Sequence, residues 1–254
     1  MRSSLSLSTR TCGLLLVIFT FITSPSHAQN AEEGVDPVTG PPPKISGRKA
    51  WILCTAIPYG VPNPASVMVG EEIHQITLSI RHMSDPFPVR GDGIVRMVKQ
   101  VPNPDQPDVP AYETIAQATV PKNVEKALII LAPKPSNDGT KLVYISKVLD
   151  LKDFKGGDYL YLNLSPRSVG VTLGEVRHVL KPGELKIQGN REITAATNKM
   201  FSMHYHSPEE DKWKMIVATT VVVQPTRREI CIFHWDAKQS RIDYRGATFP
   251  VEMD

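Results

Sequence analysis

Residues 154–184 read FKGGDYLYLNLSPRSVGVTLGEVRHVLKPGE. Val169, Val171 and Leu173 recur at every second position, with Gly170 and Thr172 between them. That alternation is the pattern of a strand with one buried face, and it is the wrong period for a helix. A Gly at 174 and a Pro-Gly at 182–183 mark tight turns on either side of the next short apolar run. Strands are therefore expected at 159–164, 169–173, 177–180 and 185–187.

Working outward, the same texture covers the rest of the chain from Lys49. Short runs rich in Val, Ile, Thr, Tyr and Phe are cut by Pro, Gly, Asn and Asp. They predict strands at 50–57, 66–69, 72–82, 93–99, 112–120, 127–131 and 142–148, then at 199–206, 213–223, 229–235 and 241–244. The best helical candidate is only 193–199. With 22 prolines in 254 residues the chain is also turn-rich, which suits strands better than bundled helices. The fold class expected is all-β, built as two β-sandwich units. The expected boundaries are a signal peptide at 1–28, a Pro-rich linker at 29–45, and units at 46–150 and 151–254. The two units would be joined near 149–156.

Internal similarity suggests a duplication. VMVGEEIH (67–74) lies on VTLGEVRH (171–178), with Gly70 on Gly174, Glu71 on Glu175 and His74 on His178, an offset of 104. GRKAWILCTAIP (47–58) can be laid on GDYLYLNLSP (157–166) at an offset of 108, and Tyr144 on Tyr244 at 100. Shrinking offsets between strands are what loop insertions in the first copy would leave. The competing explanation is that strands draw on few residue types and so look alike. Within 154–184, the order Phe154, Gly157, Tyr159, Asn163, Ser165, then the alternating valines, Gly174 and Pro182-Gly183, resembles a pattern in exported bacterial proteins with immunoglobulin-like β-sandwich domains. The resemblance implies that fold and export. Its motifs are structural, so it carries over no catalytic residue.

The N-terminus supplies an address. Arg2 and Arg10 precede the apolar run CGLLLVIFTFIT (12–23), and Ser26 and Ala28 stand as small residues before Gln29. That is the layout of a cleaved secretory signal, and the run is too short to span a bilayer. An uncleaved anchor is the alternative. Cleavage would put the protein in the periplasm or outside the cell, with no transmembrane segment. It would leave 226 of the 254 residues and lower the net charge from +3 to +1. So balanced a charge argues against a nucleic-acid partner or a polybasic membrane anchor. Cys54 and Cys231 would remain in a compartment that permits a disulfide, or else they are two separate buried thiols.

Candidate chemistry is sparse. His204 and His206 form an H-x-H on one strand and so share a face. With His234 and nearby carboxylates they could hold zinc or copper, or they are simply the wet side of an amphipathic strand. Glu71-x-x-His74 and Glu175-x-x-His178 have the spacing of helical carboxylate sites, but on strands i and i+3 point to opposite faces, so they read as matching hairpins. No G-x-S-x-G, H-E-x-x-H, P-loop or G-x-G-x-x-G occurs, and no cofactor is indicated. Arg227-Arg228 reads as a solvated turn, Trp235 as core, and Trp213 with Tyr205 as candidate binding aromatics. The function expected is a non-catalytic exported binding or structural module of the cell envelope that engages a protein or glycan. The alternative is a metal-binding protein or metal-dependent enzyme built on His204, His206 and His234.

Overall fold

Alternation and turn chemistry act as expected, and the regular structure of the described residues is β. The computed structural model describes residues 46–106, 108–135, 142–236 and 239–251; the signal peptide and linker expected at 1–45 lie outside them. Sixteen strands occur among the described residues, all in one unit spanning 43–254. In the first half they are β1 (Lys49–Cys54), β2 (Ala65–Val69), β3 (Glu72–Ile76), β4 (Phe87–Pro88), β5 (Ile94–Val101), β6 (Ala111–Thr119), β7 (Lys126–Pro135) and β8 (Leu142–Asp150). In the second they are β9 (Tyr159–Asn163), β10 (Val169–Leu173), β11 (Val176–Leu180), β12 (Leu185–Gln188), β13 (Thr197–Ser207), β14 (Lys212–Val223), β15 (Arg227–Asp236) and β16 (Arg241–Pro250). Residues 193–199 do not form the short helix considered for them, because Thr197 already opens β13. Among the described residues no helix is long and apolar enough to cross a membrane.

The sheets are β4-β1-β7-β8, β3-β2-β5-β6, β12-β9-β15-β16 and β11-β10-β13-β14. The second pair repeats the order of the first, eight strands later. The repeat extends to strand direction, since β1 runs parallel to β7 and β9 runs parallel to β15 while their neighbours are antiparallel. It also extends to irregularities. A bulge after Met97 sets Ile115 out of the β5–β6 register, and one after Met203 does the same to Ile216 between β13 and β14. Gly70 and Gly174 turn the two hairpins at φ +62° and +60°, a conformation that L side chains rarely adopt. The offset of 104 is thus kept in space. The pairing at Ala50↔Ala127 and Tyr159↔Glu229 moves β1 onto β9 at 109, one residue from the sequence alignment, so that buried faces coincide.

Three apolar cores separate the four sheets. Ala50, Ile52 and Cys54 of β1 join β2, β5 and β6 in the first, and Tyr159, Tyr161 and Cys231 join β10 and β13 in the third. Trp51, Leu53, Leu128 and Ile130 turn the other way and meet Leu160, Leu162, Ile230 and Ile232 in the middle core. Inner strands buried on both faces explain why WILC and YLYL read as continuous apolar runs without alternation. The stretch expected to join two sandwiches near 149–156 is part of this middle core. Leu149, Leu151 and Phe154 are all buried there.

Candidate functional site

The histidines come first. Val169 and Val171 of β10 point into the third core, and their partners on β13, Tyr205 and Met203, point the same way. His204 and His206 therefore occupy the opposite, outer face of that sheet, opposite Met215 and Trp213 of β14. His234 lies on β15, in a different sheet, between the core residues Phe233 and Trp235. The structure does not bring His204, His206 and His234 together. Among the described residues no group of three or more His, Cys, Asp or Glu side chains is arranged to hold a metal. His206 instead sets its Nε2 3.1 Å from Asp211 Oδ1.

The two cysteines are likewise separated. Cys54 faces the first core and Cys231 the third, so of the two alternatives the structure shows two separate buried thiols and no disulfide. Burial pushes Cys54 up to about 12 and Cys231 higher still, which leaves neither as a nucleophile at neutral pH. The repeated E-x-x-H stretches are matching hairpins. His74 packs against Phe87 and His178 against Tyr161, each with a buried Nε2 that has no hydrogen-bond partner. Desolvation by burial, with Lys186 nearby, lowers the pKa of His178.

Arg228 corrects another expectation. It is 1% exposed, with its guanidinium 5.7 Å from the centre of the Phe154 ring. It borders a cavity of about 590 Å³ that Lys126, Asp150, Lys155 and Val251 also line. Tyr205 is not a surface aromatic either. Arg167 covers it at 6.0 Å, stacks 5.2 Å from Trp235, and forks onto Glu209 with contacts of 2.7 and 2.6 Å. Hydrogen bonds from the Glu209 backbone, the Ser207 hydroxyl and Arg167 hold the Glu209 carboxyl below its ordinary value. This cluster closes one end of the third core.

Trp213 remains, and it is built into the sheet. Gly170 leaves a gap on the outer face of β10, and the six-membered ring of Trp213 fills it. A Cβ placed on Gly170 would lie 3.2 Å from Cζ3. The His206 ring meets the indole edge-on with centroids 5.4 Å apart. Around this anchor the outer face exposes Met200 at 66%, Met215 at 63%, Val179 at 52%, Val222 at 51% and Trp213 itself at 40%. Register places Val179 across from Gly170, Met215 across from His204, and Met200 across from Thr220. These five residues share the outer face with His204, His206 and the row Arg177, Thr172 and Ser202.

The first unit shows what this face looks like without that feature. Its matched strands carry Ser66 for Gly170, Gln75 for Val179, Thr114 for Met215, Gln117 for Ala218 and Tyr112 for Trp213. There Arg96 Nε donates to Gln117 Oε1 at 3.3 Å, while Ile94, Met68, Val98 and Ile73 stand at the places of Met200, Thr172, His204 and Arg177, so the two faces differ chiefly around Trp213. Sequence reading found Trp213 but missed Met200, Met215, Val179 and Val222. The available signal was KWKMIVATTVVV (212–223), which is apolar at both parities although only one face of it can point to a core. No family model matches the chain and no curated protein is similar to it, so the resemblance of 154–184 to exported immunoglobulin-like proteins gains no support.

Proposed function

We propose that this is an exported, non-catalytic binding module of the cell envelope whose outer sheet β11-β10-β13-β14 docks a protein partner. The observation that carries the reading is the contrast between two faces of the same architecture. Beside Trp213 the second unit sets Val179, Met215 and Ala218 where the first has Gln75, Thr114 and Gln117, and its outer face holds half of the large apolar residues that stand exposed among the described residues. Exposed apolar patches of several hundred Å² on a soluble domain are commonly interaction sites. What favours a protein over a glycan is that Met215 and Val179 extend an apolar surface beside Trp213, whose polar neighbour His206 is already engaged with Asp211. The signal-like residues 1–28 support export.

A photo-crosslinking amino acid at position 215, compared with one at the matched position 114, tests this in the intact source envelope. Adducts to protein at 215 and none at 114 are expected. Equal labelling at both sites, or adducts to glycan alone at 215, would overturn the reading.

A further inference from the structure

The edge of that same sheet narrows the partner, an inference that rests on reading the outer face as a binding surface. β14 is the last strand of its sheet and pairs along one side only, with β13. A free strand edge carries a row of unmet N–H and C=O groups, and soluble proteins defend such edges with charge, Pro or a covering element. The matched edge in the first unit is defended. The Ser146 hydroxyl of β8 donates to the Gln117 carbonyl of β6 at 2.7 Å, which covers that edge, while Glu113 on β6 and Lys214 on β14 occupy matched places. In the second unit Tyr244 stands at the place of Ser146, so no such bond covers β14, and beyond Lys212 and Lys214 the strand is uncharged from Met215 to Val223.

We infer that the occupant of this edge is a second copy of the chain, joined antiparallel through β14 about a twofold axis at Thr220. After the bulge at Ile216 the ladder Val217–Val223 is regular. Set against itself about Thr220, it pairs Val217 with Val223, Ala218 with Val222, Thr219 with Val221, and Thr220 with its own copy. Each pair joins residues of one face. Ala218, Thr220 and Val222 lie outward; Val217, Val221 and Val223 pack toward the third core. A shift of the axis by half a residue would set outward residues against inward ones, so the axis must pass through a residue, and Thr220 is the centre of the regular ladder Val217–Val223. The charge pattern fits the same pairing. Lys212 and Lys214 fall beyond the partner's Val223, so no lysine meets a lysine, and every pair in the ladder is neutral. Val222 and Met200 of the two copies then extend one apolar face across the axis, which enlarges the docking surface instead of hiding it.

Sedimentation of the purified protein over about two decades of concentration tests this. Dimers are expected from the wild type. Thr220 is exposed, so Thr220→Lys and Thr220→Glu should fold, and each should weaken self-association at least tenfold by setting like charges opposite each other. Mixing the two variants should restore dimers, which no merely structural effect would produce. A monomeric wild type, a Thr220→Lys variant that still dimerises, or a mixture that stays monomeric would each overturn the pairing. A photo-crosslinker at 222 that reacts only within its own chain would overturn it as well. If position 215 still captures a different protein while the wild type is monomeric, this inference fails and the binding face stands.

Discussion

Replacing Phe154 with Ala probes whether the two sandwiches share a core. Phe154 is 1% exposed and packs in the middle core with Leu151 and Leu160, under the Arg228 guanidinium. Burying an aromatic ring removes about 150–250 Å² from water. At about 25 cal/mol per Å² this gives roughly 4–6 kcal/mol for the whole side chain. Truncation to Ala keeps the first carbon, and large-to-small core changes of this kind cost about 3–5 kcal/mol. Loss of the cation–π contact adds about 0.5–2 kcal/mol. The site borders an open cavity, so water can relax the hole, and the lower end of the range, about 3 kcal/mol, is expected. Urea unfolding should show one transition whose midpoint falls while its slope is unchanged. In a thermal scan the loss should lower Tm by about 6–12 °C. A cost below about 1 kcal/mol, or two transitions of which only one moves, would refute the shared core. Both results are what two independent sandwiches on a solvated linker would give.

Other perturbations test single contacts. Gly170→Ala should leave stability within about 0.5 kcal/mol, since its backbone is unstrained, but must push the indole of Trp213 outward by a few tenths of an ångström. The readout is Trp emission and its quenching by iodide, and unchanged quenching would contradict the placement. Burial raises the Glu229 carboxyl above its ordinary value, against the Thr248 hydrogen bond and the Arg227 charge. A raised acid favours the protonated native state, so its contribution is complete below the ordinary carboxylate pKa and is lost as pH rises through the native value. Wild-type stability should therefore fall relative to Glu229→Gln across that window in pH-dependent urea titrations, and parallel curves would refute it. Cys54 and Cys231 should react with an aromatic disulfide reagent only after unfolding, and fast reaction in the native state would contradict their burial.

Much of this architecture was legible because strand chemistry is local. Alternation at 169–173 and glycines at 70 and 174 are short-range signals, and they placed the hairpins correctly. β4 escaped notice because two residues, one of them a proline, carry no periodicity. The segment 149–156 was read as the joint between the units and does link β8 to β9, but the burial of Leu151 and Phe154 in the middle core was not legible, because polar and glycine residues surround them. The same limit applies to the site. H-x-H fixes one face of one strand, but the place of His234 depends on which sheet β15 enters. Trp213 could be singled out by type, whereas the polar Gln75, Thr114 and Gln117 that stand in the first unit for its apolar neighbours are visible only when the two units are compared in space.

The most direct test exchanges that face. Val179→Gln, Met215→Thr and Ala218→Gln together install the first unit's residues on the second unit's outer sheet, all at positions already open to solvent or at the sheet surface. The mass of the native assembly, measured by light scattering on wild-type and exchanged protein isolated under identical conditions, is the quantity to compare. A wild-type assembly heavier than the dimer joined through β14, reduced to that dimer in the exchanged protein, is the expected result. Equal masses for the two proteins would contradict an interaction surface on β11-β10-β13-β14.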